Sequence, residues 1–102
     1  GADMDLDHVA LNTDNIEATA NWYVANFQAE IKYIDETWAL LQIGNTKIAL
    51  TIPTQHPPHI AFTVQSIDEV PGEPITHRDG SVSSYIKDPA GNNIEYVYWP
   101  PE

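Results

Sequence analysis

An internal repeat constrains the fold of this chain more than any other feature of its sequence. The segment HVALNTDNIE at residues 8–17 aligns with HIAFTVQSID at residues 59–68, which lies 51 residues later. A second match joins residues 47–50 to residues 93–96, each preceded by a Gly-Asn pair, and its offset from Ile48 to Ile94 is a shorter 46 residues. Two matched segments in the same order favour duplication of one supersecondary unit. The difference between the offsets indicates that the second copy has lost about five residues between its two matched segments.

The first copy has the pattern of a strand, a helix and three further strands. Residues 5–12 alternate, so that His8 and Ala10 share one face of a strand. Asp14 is predicted to be the helix N-cap, with Glu17 as its capping-box partner. The helix is expected to continue to about residue 27 and to bury a stripe of Ile16, Ala20, Tyr23 and Phe27. The three strands are predicted at residues 30–34, 38–43 and 46–52.

The second copy is predicted to keep the strands but to lose most of the helix. A proline-rich linker at residues 53–58 separates the copies. Prolines at positions 71 and 74 restrict any helix there to one turn within residues 66–70. Strands are expected at residues 59–64, 82–87 and 93–98. The sequence therefore predicts an α+β fold of two βαβββ units, at residues 5–52 and 59–99, within one domain that spans residues 1–102.

Composition limits the classes of partner and of metal site. The formal net charge is −11, from 15 acidic and 4 basic residues, so the surface repels phosphate backbones and anionic lipids. We therefore expect no nucleic acid and no membrane partner. No secretory leader pattern opens the sequence, which favours a cytoplasmic protein. The chain has no cysteine, so any metal site must use His, Asp and Glu.

Three residues at matched positions of the repeat have side chains that bind metals. His8 and His59 lie on equivalent strands and face the same way, and Glu95 lies in the last strand, where the first copy has Ala49. Two imidazoles and one carboxylate on strands are the ingredients of a three-ligand site for Fe, Mn, Ni, Co or Zn. The alternative interpretation is that the histidines are structural and that Glu95 is a solvated carboxylate at a strand end.

The other polar and aromatic residues are interpreted as structural. His56 lies in the proline-rich linker and is expected to be exposed, and His77 with Arg78 precedes a predicted turn at residues 79–80. Tyr85 lies on a strand ten residues before the glutamate, where it either faces the site or packs. The three tryptophans are expected to be core or interface residues: Trp22, Trp38 and Trp99.

The repeat and the segment DPAGNNIE at residues 88–95 resemble the vicinal oxygen chelate superfamily, which includes glyoxalases, bleomycin resistance proteins and extradiol dioxygenases. The resemblance implies curved mixed sheets that enclose a metal-binding cleft, with His8, His59 and Glu95 as ligands. Glyoxalase I and the epimerases of the superfamily use a fourth ligand at the position of Ala49. The tyrosine ten residues before the glutamate is similar to that of extradiol dioxygenases, which makes Tyr85 a candidate catalytic residue.

Two functions are compatible with this resemblance. The first is a metal-dependent enzyme, a lyase, isomerase, transferase or dioxygenase, that acts on a small oxygen-bearing substrate. The second is a non-catalytic protein that binds and sequesters a small molecule, as antibiotic-resistance members do. Fosfomycin enzymes carry more basic residues in the second unit than the Arg78 and Lys87 present here. The resemblance also implies a homodimer, and the shortened second helix favours one because it leaves part of a sheet uncovered.

Overall fold

The computed structural model describes residues 4–77 and 80–101, and it divides into two units. The first unit is His8–Pro58, and the second contains the residues before His8 together with those from His59 onward. Arg78, which the sequence analysis considered as a basic site residue, lies outside the described residues, as does Asp79 of the predicted turn. The prediction that residues 1–102 form one domain stays a prediction.

The first unit is a four-stranded mixed sheet with one helix. The strand order is β2-β3-β4-β1, in which β1 and β4 are parallel and the other pairs are antiparallel. The elements are β1 (Asp5–Asn12), α1 (Ile16–Phe27), β2 (Glu30–Ile34), β3 (Trp38–Ile43) and β4 (Thr46–Thr51). Each lies within two residues of its prediction, because alternating strands and a periodic helix leave clear boundaries in the sequence.

Helix α1 begins one residue later than the sequence predicts. Asn15, not Asp14, is the N-cap, and its side chain accepts a hydrogen bond from the backbone N–H of Ala18 at 3.0 Å. The predicted capping box with Glu17 is therefore wrong, since the cap has moved along the chain by one position. At the other end, Gln28 adopts the left-handed conformation with φ 57°, where a glycine is the usual residue.

The core of the first unit lies between α1 and the sheet. Its fully or nearly fully buried residues are Ile16, Ala20, Ala29, Ala39, Leu41 and Leu50. The predicted helix stripe is confirmed in its first half, because Ile16 and Ala20 are buried. It is wrong at its end, where Phe27 is 52% exposed and Tyr23 is only partly buried.

The second unit repeats the topology of the first with a single turn in place of the helix. Its elements are β5 (His59–Val64), a 3₁₀ turn (Ile67–Glu69), β6 (Ile75–Thr76), β7 (Val82–Lys87) and β8 (Asn93–Tyr98). The strand order β5-β8-β7-β6, with β5 and β8 parallel, matches that of the first unit. The two-residue strand β6 was not predicted, because two residues are too few to show alternation.

The 3₁₀ turn has the capping box that the first unit lacks. The Ser66 side chain accepts from the backbone of Asp68, and the Glu69 carboxylate accepts from the backbone N–H of Ser66 at 2.9 Å. The predicted α+β class, the mixed sheets and the shortened second helix are thus confirmed. The described residues contain no helix that is long and apolar enough to cross a membrane. A cytoplasmic location stays a prediction.

Candidate metal centre

His59 and Glu95 are brought together by the parallel pairing of β5 with β8. In this register His59 lies opposite Asn93 and Ala61 lies opposite Glu95, so the histidine and the glutamate are diagonal neighbours on one sheet face. The small side chain of Ala61 leaves room between them. Nε2 of His59 lies 3.3 Å from Oε1 of Glu95. Both residues are buried, at 8% and 7% exposure.

Tyr85 lies beside this pair on β7, the strand that flanks β8 on the edge away from β5. It lies directly across from Glu95 in the antiparallel pairing of β7 with β8, and its ring meets the His59 ring edge-on at 5.2 Å between centroids. Its hydroxyl hydrogen-bonds to the Glu95 carboxylate. Burial, followed by the negative charge and the hydrogen bond of Glu95, raises the pKa of Tyr85 well above its ordinary value. The phenol therefore keeps its proton at neutral pH and donates it in hydrogen bonds.

The His59 and Glu95 donors have the chemistry and the spacing of a divalent metal site. Two donor atoms at about 2.1 Å from an ion, separated by an angle of 90–110°, lie roughly 3.0–3.4 Å apart. The observed separation of 3.3 Å falls within that range. An imidazole and a carboxylate can also form an ion pair, but burial makes two isolated charges costly, and a bound cation would stabilise the carboxylate. The pair therefore fits a metal ligand set.

His8 lies in β1 and is the first residue of the first unit. Its equivalence to His59 is supported by strand register, because Ala10 lies opposite Ala49 just as Ala61 lies opposite Glu95. The preceding residue, Asp7, belongs to the second unit, where its carboxylate accepts a hydrogen bond from Nε1 of Trp99 at 3.4 Å. The assignment of His8 as a ligand therefore rests on the repeat and stays a prediction.

Residues 5–72 of the chain match the family model described as Glyoxalase/Bleomycin resistance protein/Dioxygenase superfamily. The chain belongs to this superfamily. A search of curated proteins gives no match. The predicted resemblance is confirmed, and the matched segment includes both candidate histidine ligands.

Solved structures share the fold of this superfamily member. A hypothetical protein from Bacillus halodurans C-125 has a TM-score of 0.76 at 20% identity, covering 97% of this chain and 96% of that one. Methylmalonyl-CoA epimerase from Mycobacterium tuberculosis has a TM-score of 0.70 at 20% identity, covering 94% and 88%. A superfamily member from Vibrio splendidus 12B01 has a TM-score of 0.71 at 14% identity, covering 92% and 98%. At these identities the similarity shows the fold alone.

This superfamily member also has a polar contact that the sequence did not reveal. Nε2 of His77 lies 2.6 Å from Oγ of Ser83, which is only 1% exposed. The interpretation of His77 as loop polarity is therefore incomplete, although its side chain is exposed. Ser83 and Tyr85 lie on the same face of β7, since they are two residues apart. No sequence signal pointed to the contact, because His77 has no repeat partner.

The remaining candidates lie on the surface. His56 is exposed, as expected, and its carbonyl accepts a hydrogen bond from Nδ2 of Asn12 at 2.9 Å. The three tryptophans do not lie in the core: Trp22 is 53% exposed, Trp38 is 38% exposed and Trp99 is 49% exposed. The expectation that these tryptophans are core residues is therefore wrong, and an interface role stays a prediction.

Proposed function

We propose that this superfamily member is a metal-dependent enzyme that acts on a small oxygen-bearing substrate. His59 and Glu95 are two of the proposed ligands, and His8, which the repeat makes equivalent to His59, is the third proposed ligand. The observation that carries the proposal is the buried His59–Glu95 pair, with its 3.3 Å separation and the Tyr85 hydroxyl bonded to the carboxylate. The ion is Fe, Mn, Ni, Co or Zn, because the donors are nitrogen and oxygen without thiolate.

Each side chain has a distinct part in this proposal. A divalent ion held by the three donors supplies Lewis-acid polarisation to neighbouring substrate oxygens. Tyr85 orients the Glu95 carboxylate through its hydrogen bond and is the candidate catalytic residue, as a hydrogen-bond partner of the substrate rather than as an acid, because its raised pKa makes the phenol a poor proton donor. Its side chain is 40% exposed, so a substrate can reach the ring from solvent. His59 is held by the edge-on contact with the same ring.

Ala49, the residue equivalent to Glu95 in the first unit, bears on which reaction the proposed enzyme catalyses. Methylmalonyl-CoA epimerases are among the structures that share this fold, so an isomerase is one form of the proposal. Ala49 occupies the position where the sequence resemblance places a fourth ligand in epimerases and in glyoxalase I. An alanine has no donor atom, so the proposed ligand set has three members. Three protein ligands would leave the ion open to water or to substrate oxygen.

A non-catalytic binding protein is the second candidate, and one observation favours it. The rings of Tyr33 and Trp38 stack at 4.7 Å between centroids, and both are more than a third exposed. Asp35 fixes this pair, because it accepts hydrogen bonds from the Tyr33 hydroxyl and from the backbone N–H of Trp38. A rigid exposed aromatic surface can bind a flat apolar molecule without metal.

Metal uptake tests the proposed enzyme and separates the two candidates. Protein purified without a histidine tag is stripped with chelator, dialysed against Co(II) or Zn(II), and analysed for metal per chain. We expect about one ion per chain for the natural sequence and almost none for His59→Ala. His56→Ala is the matched control, since it removes an exposed histidine from the linker and should bind the full amount. Equal uptake by both variants would refute the metal centre.

A further inference from the structure

The candidate metal centre occupies only part of one sheet face in the second unit. Cross-strand pairing divides this face into rows of three residues, one each from β7, β8 and β5. One row contains Tyr85, Glu95 and Ala61, and the next row along the strands contains Ser83, Val97 and Thr63. The proposed metal chemistry uses the first row and does not use the second.

An exposed imidazole borders the second row and is held there by a buried hydroxyl. Nε2 of His77 lies 2.6 Å from Oγ of Ser83, which is 1% exposed. The backbone of His77 is also fixed, because its N–H donates to the carbonyl of Ser81 at 2.8 Å and its carbonyl accepts from the N–H of Gly80 at 2.9 Å. The exposed ring is therefore presented to solvent in a restricted orientation, and it loses little conformational entropy when a ligand binds.

The contact with Ser83 also determines what the other nitrogen of the His77 ring can do. A neutral imidazole has one N–H and one bare nitrogen, so a serine hydroxyl that donates to Nε2 places the ring proton on Nδ1. A protonated imidazole has an N–H at both positions. In both of these states Nδ1 is a donor for a ligand oxygen, and the protonated state favours a carboxylate, since charge-assisted hydrogen bonds are the stronger ones.

The strand register sets the length of a molecule that could contact both the metal centre and this imidazole. Ser83 and Glu95 are one strand apart and two residues apart along the strands, which corresponds to about 4.8 Å and about 6.6 Å, or roughly 8 Å along the diagonal. An extended carbon chain covers that distance in roughly six bonds. The other corners of this square are Val97, which is apolar, and the protonated phenol of Tyr85, so neither repels a chain that lies across them.

We propose, on the basis of the metal centre proposed above, that His77 binds a carboxylate at the far end of the substrate. The substrate class is then a linear acid with two ends, in which metal-binding oxygens and a carboxylate are separated by roughly six bonds. Ser83 is the positioning residue, because it holds the ring through the 2.6 Å contact. His77 selects the substrate by its length and by its charge.

Lys87 is the residue that competes for this assignment. It lies two residues after Tyr85, so it is on the same face but on the side away from Ser83. Its side chain is exposed, and an ammonium on a flexible four-carbon stem loses more conformational entropy on binding than a ring that is already held. The two residues lie on opposite sides of the Tyr85 row, so substitutions can separate them.

Chelating probes of graded length test the proposal in the Co(II)-loaded protein. Acetohydroxamate binds a metal through two oxygens and has no second polar group, whereas the monohydroxamates of linear diacids add a carboxylate on a chain of about two to six methylene groups. Calorimetric titration measures each affinity. We expect one chain length to bind roughly tenfold more tightly than acetohydroxamate, and than the alkyl hydroxamate of equal length that lacks the carboxylate.

Variants identify the residue that gives this gain. His77→Ala and Ser83→Ala should remove the gain and leave the affinity for acetohydroxamate unchanged, which also shows that each variant is folded and holds its metal. Lys87→Gln is the matched control and should keep the gain. A gain that is absent at every length, that survives His77→Ala, or that is lost in Lys87→Gln instead would overturn the assignment of His77 while the metal centre stands. A protein that takes up no Co(II), or whose Co(II) does not bind acetohydroxamate, would overturn both proposals.

Discussion

Ala49 and Glu95 occupy equivalent positions in the two units of this protein. Ala49 lies in β4 opposite Ala10, and Glu95 lies in β8 opposite Ala61. Both are buried, at 8% and 7% exposure. The repeat therefore gives one copy a carboxylate and the other a methyl group at the same place in the same topology. This difference makes position 49 a direct test of how many protein ligands the proposed centre has.

The first prediction concerns the substitution Ala49→Glu. Without metal, the new carboxylate is buried and unpaired, so the free energy of unfolding should fall by about 1–3 kcal/mol. With metal, a fourth ligand should tighten binding roughly tenfold, or about 1.4 kcal/mol. Metal titration and thermal unfolding with and without Co(II) measure the two effects. Ala49→Gln, which offers a neutral oxygen, is the control for charge. Lost stability with unchanged affinity would show that position 49 is not a ligand position.

The second prediction concerns the hydroxyl proton of Tyr85 in the metal-free protein. Glu95→Gln removes the negative charge that contributes to the raised pKa, while burial, the largest cause, remains. The pKa of Tyr85 should therefore fall but stay above its ordinary value of about 10. Tyrosine labelled with ¹³C at Cζ reports this in an NMR pH titration, with Tyr85→Phe to assign the signal. Glu30→Gln, at an exposed carboxylate, should leave that titration unchanged.

The third prediction concerns acid stability and Asp35. The Tyr33 hydroxyl, followed by the backbone N–H groups of Thr37 and Trp38, lowers the pKa of Asp35 from 3.8 to about 2. A lowered folded-state pKa stabilises the protein above the unfolded-state value, and that stabilisation is lost as pH falls. Asp35→Ala should therefore lower the melting temperature at pH 6, and the difference from the natural protein should shrink between pH 4 and pH 2. Glu36→Ala, at the next residue, should show no such convergence.

The fourth prediction concerns the end of α1. Gln28 has φ 57°, a conformation that costs a non-glycine residue roughly 1 kcal/mol. Gln28→Gly should raise the free energy of unfolding by about that amount, or about 4–8 °C in melting temperature for a domain of this size. Gln28→Ala keeps the Cβ atom and should give no such gain. A glycine variant that is no more stable than the alanine variant would contradict the assignment of backbone strain.

The fold could be predicted where the pattern was local and repeated. The strands at 59–64, 82–87 and 93–98 agree with prediction at both ends, because prolines, glycines and alternation delimit them. The N-cap was misplaced because Asp14 and Asn15 are both good caps, and backbone geometry decides between them. The exposure of Phe27 was not predicted because helical spacing shows which residues share a stripe but not how much of that stripe the rest of the fold covers.

The repeat and the strand alternation also predicted part of the candidate site. The repeat identified His59 and Glu95, and strand alternation put them on one face. The sequence alone does not decide whether Tyr85 faces the site or packs elsewhere. Its pairing opposite Glu95 depends on the register of β7 with β8, which a single strand does not reveal. The contact between His77 and Ser83 depends on β6, whose two residues carry no pattern, so it could not be predicted.

The replacement of the second helix by a three-residue turn has a consequence for the history of the chain. The first copy has a covering helix and an alanine at position 49, whereas the second has a carboxylate at the equivalent position and a single turn in place of the helix. Neither copy could now substitute for the other. A protein made of two first copies would be better covered and would lack the acidic ligand. A protein made of two second copies would have two carboxylates and only a short turn in place of each helix. The covering helix and the buried carboxylate of this fold are thus divided between the two copies.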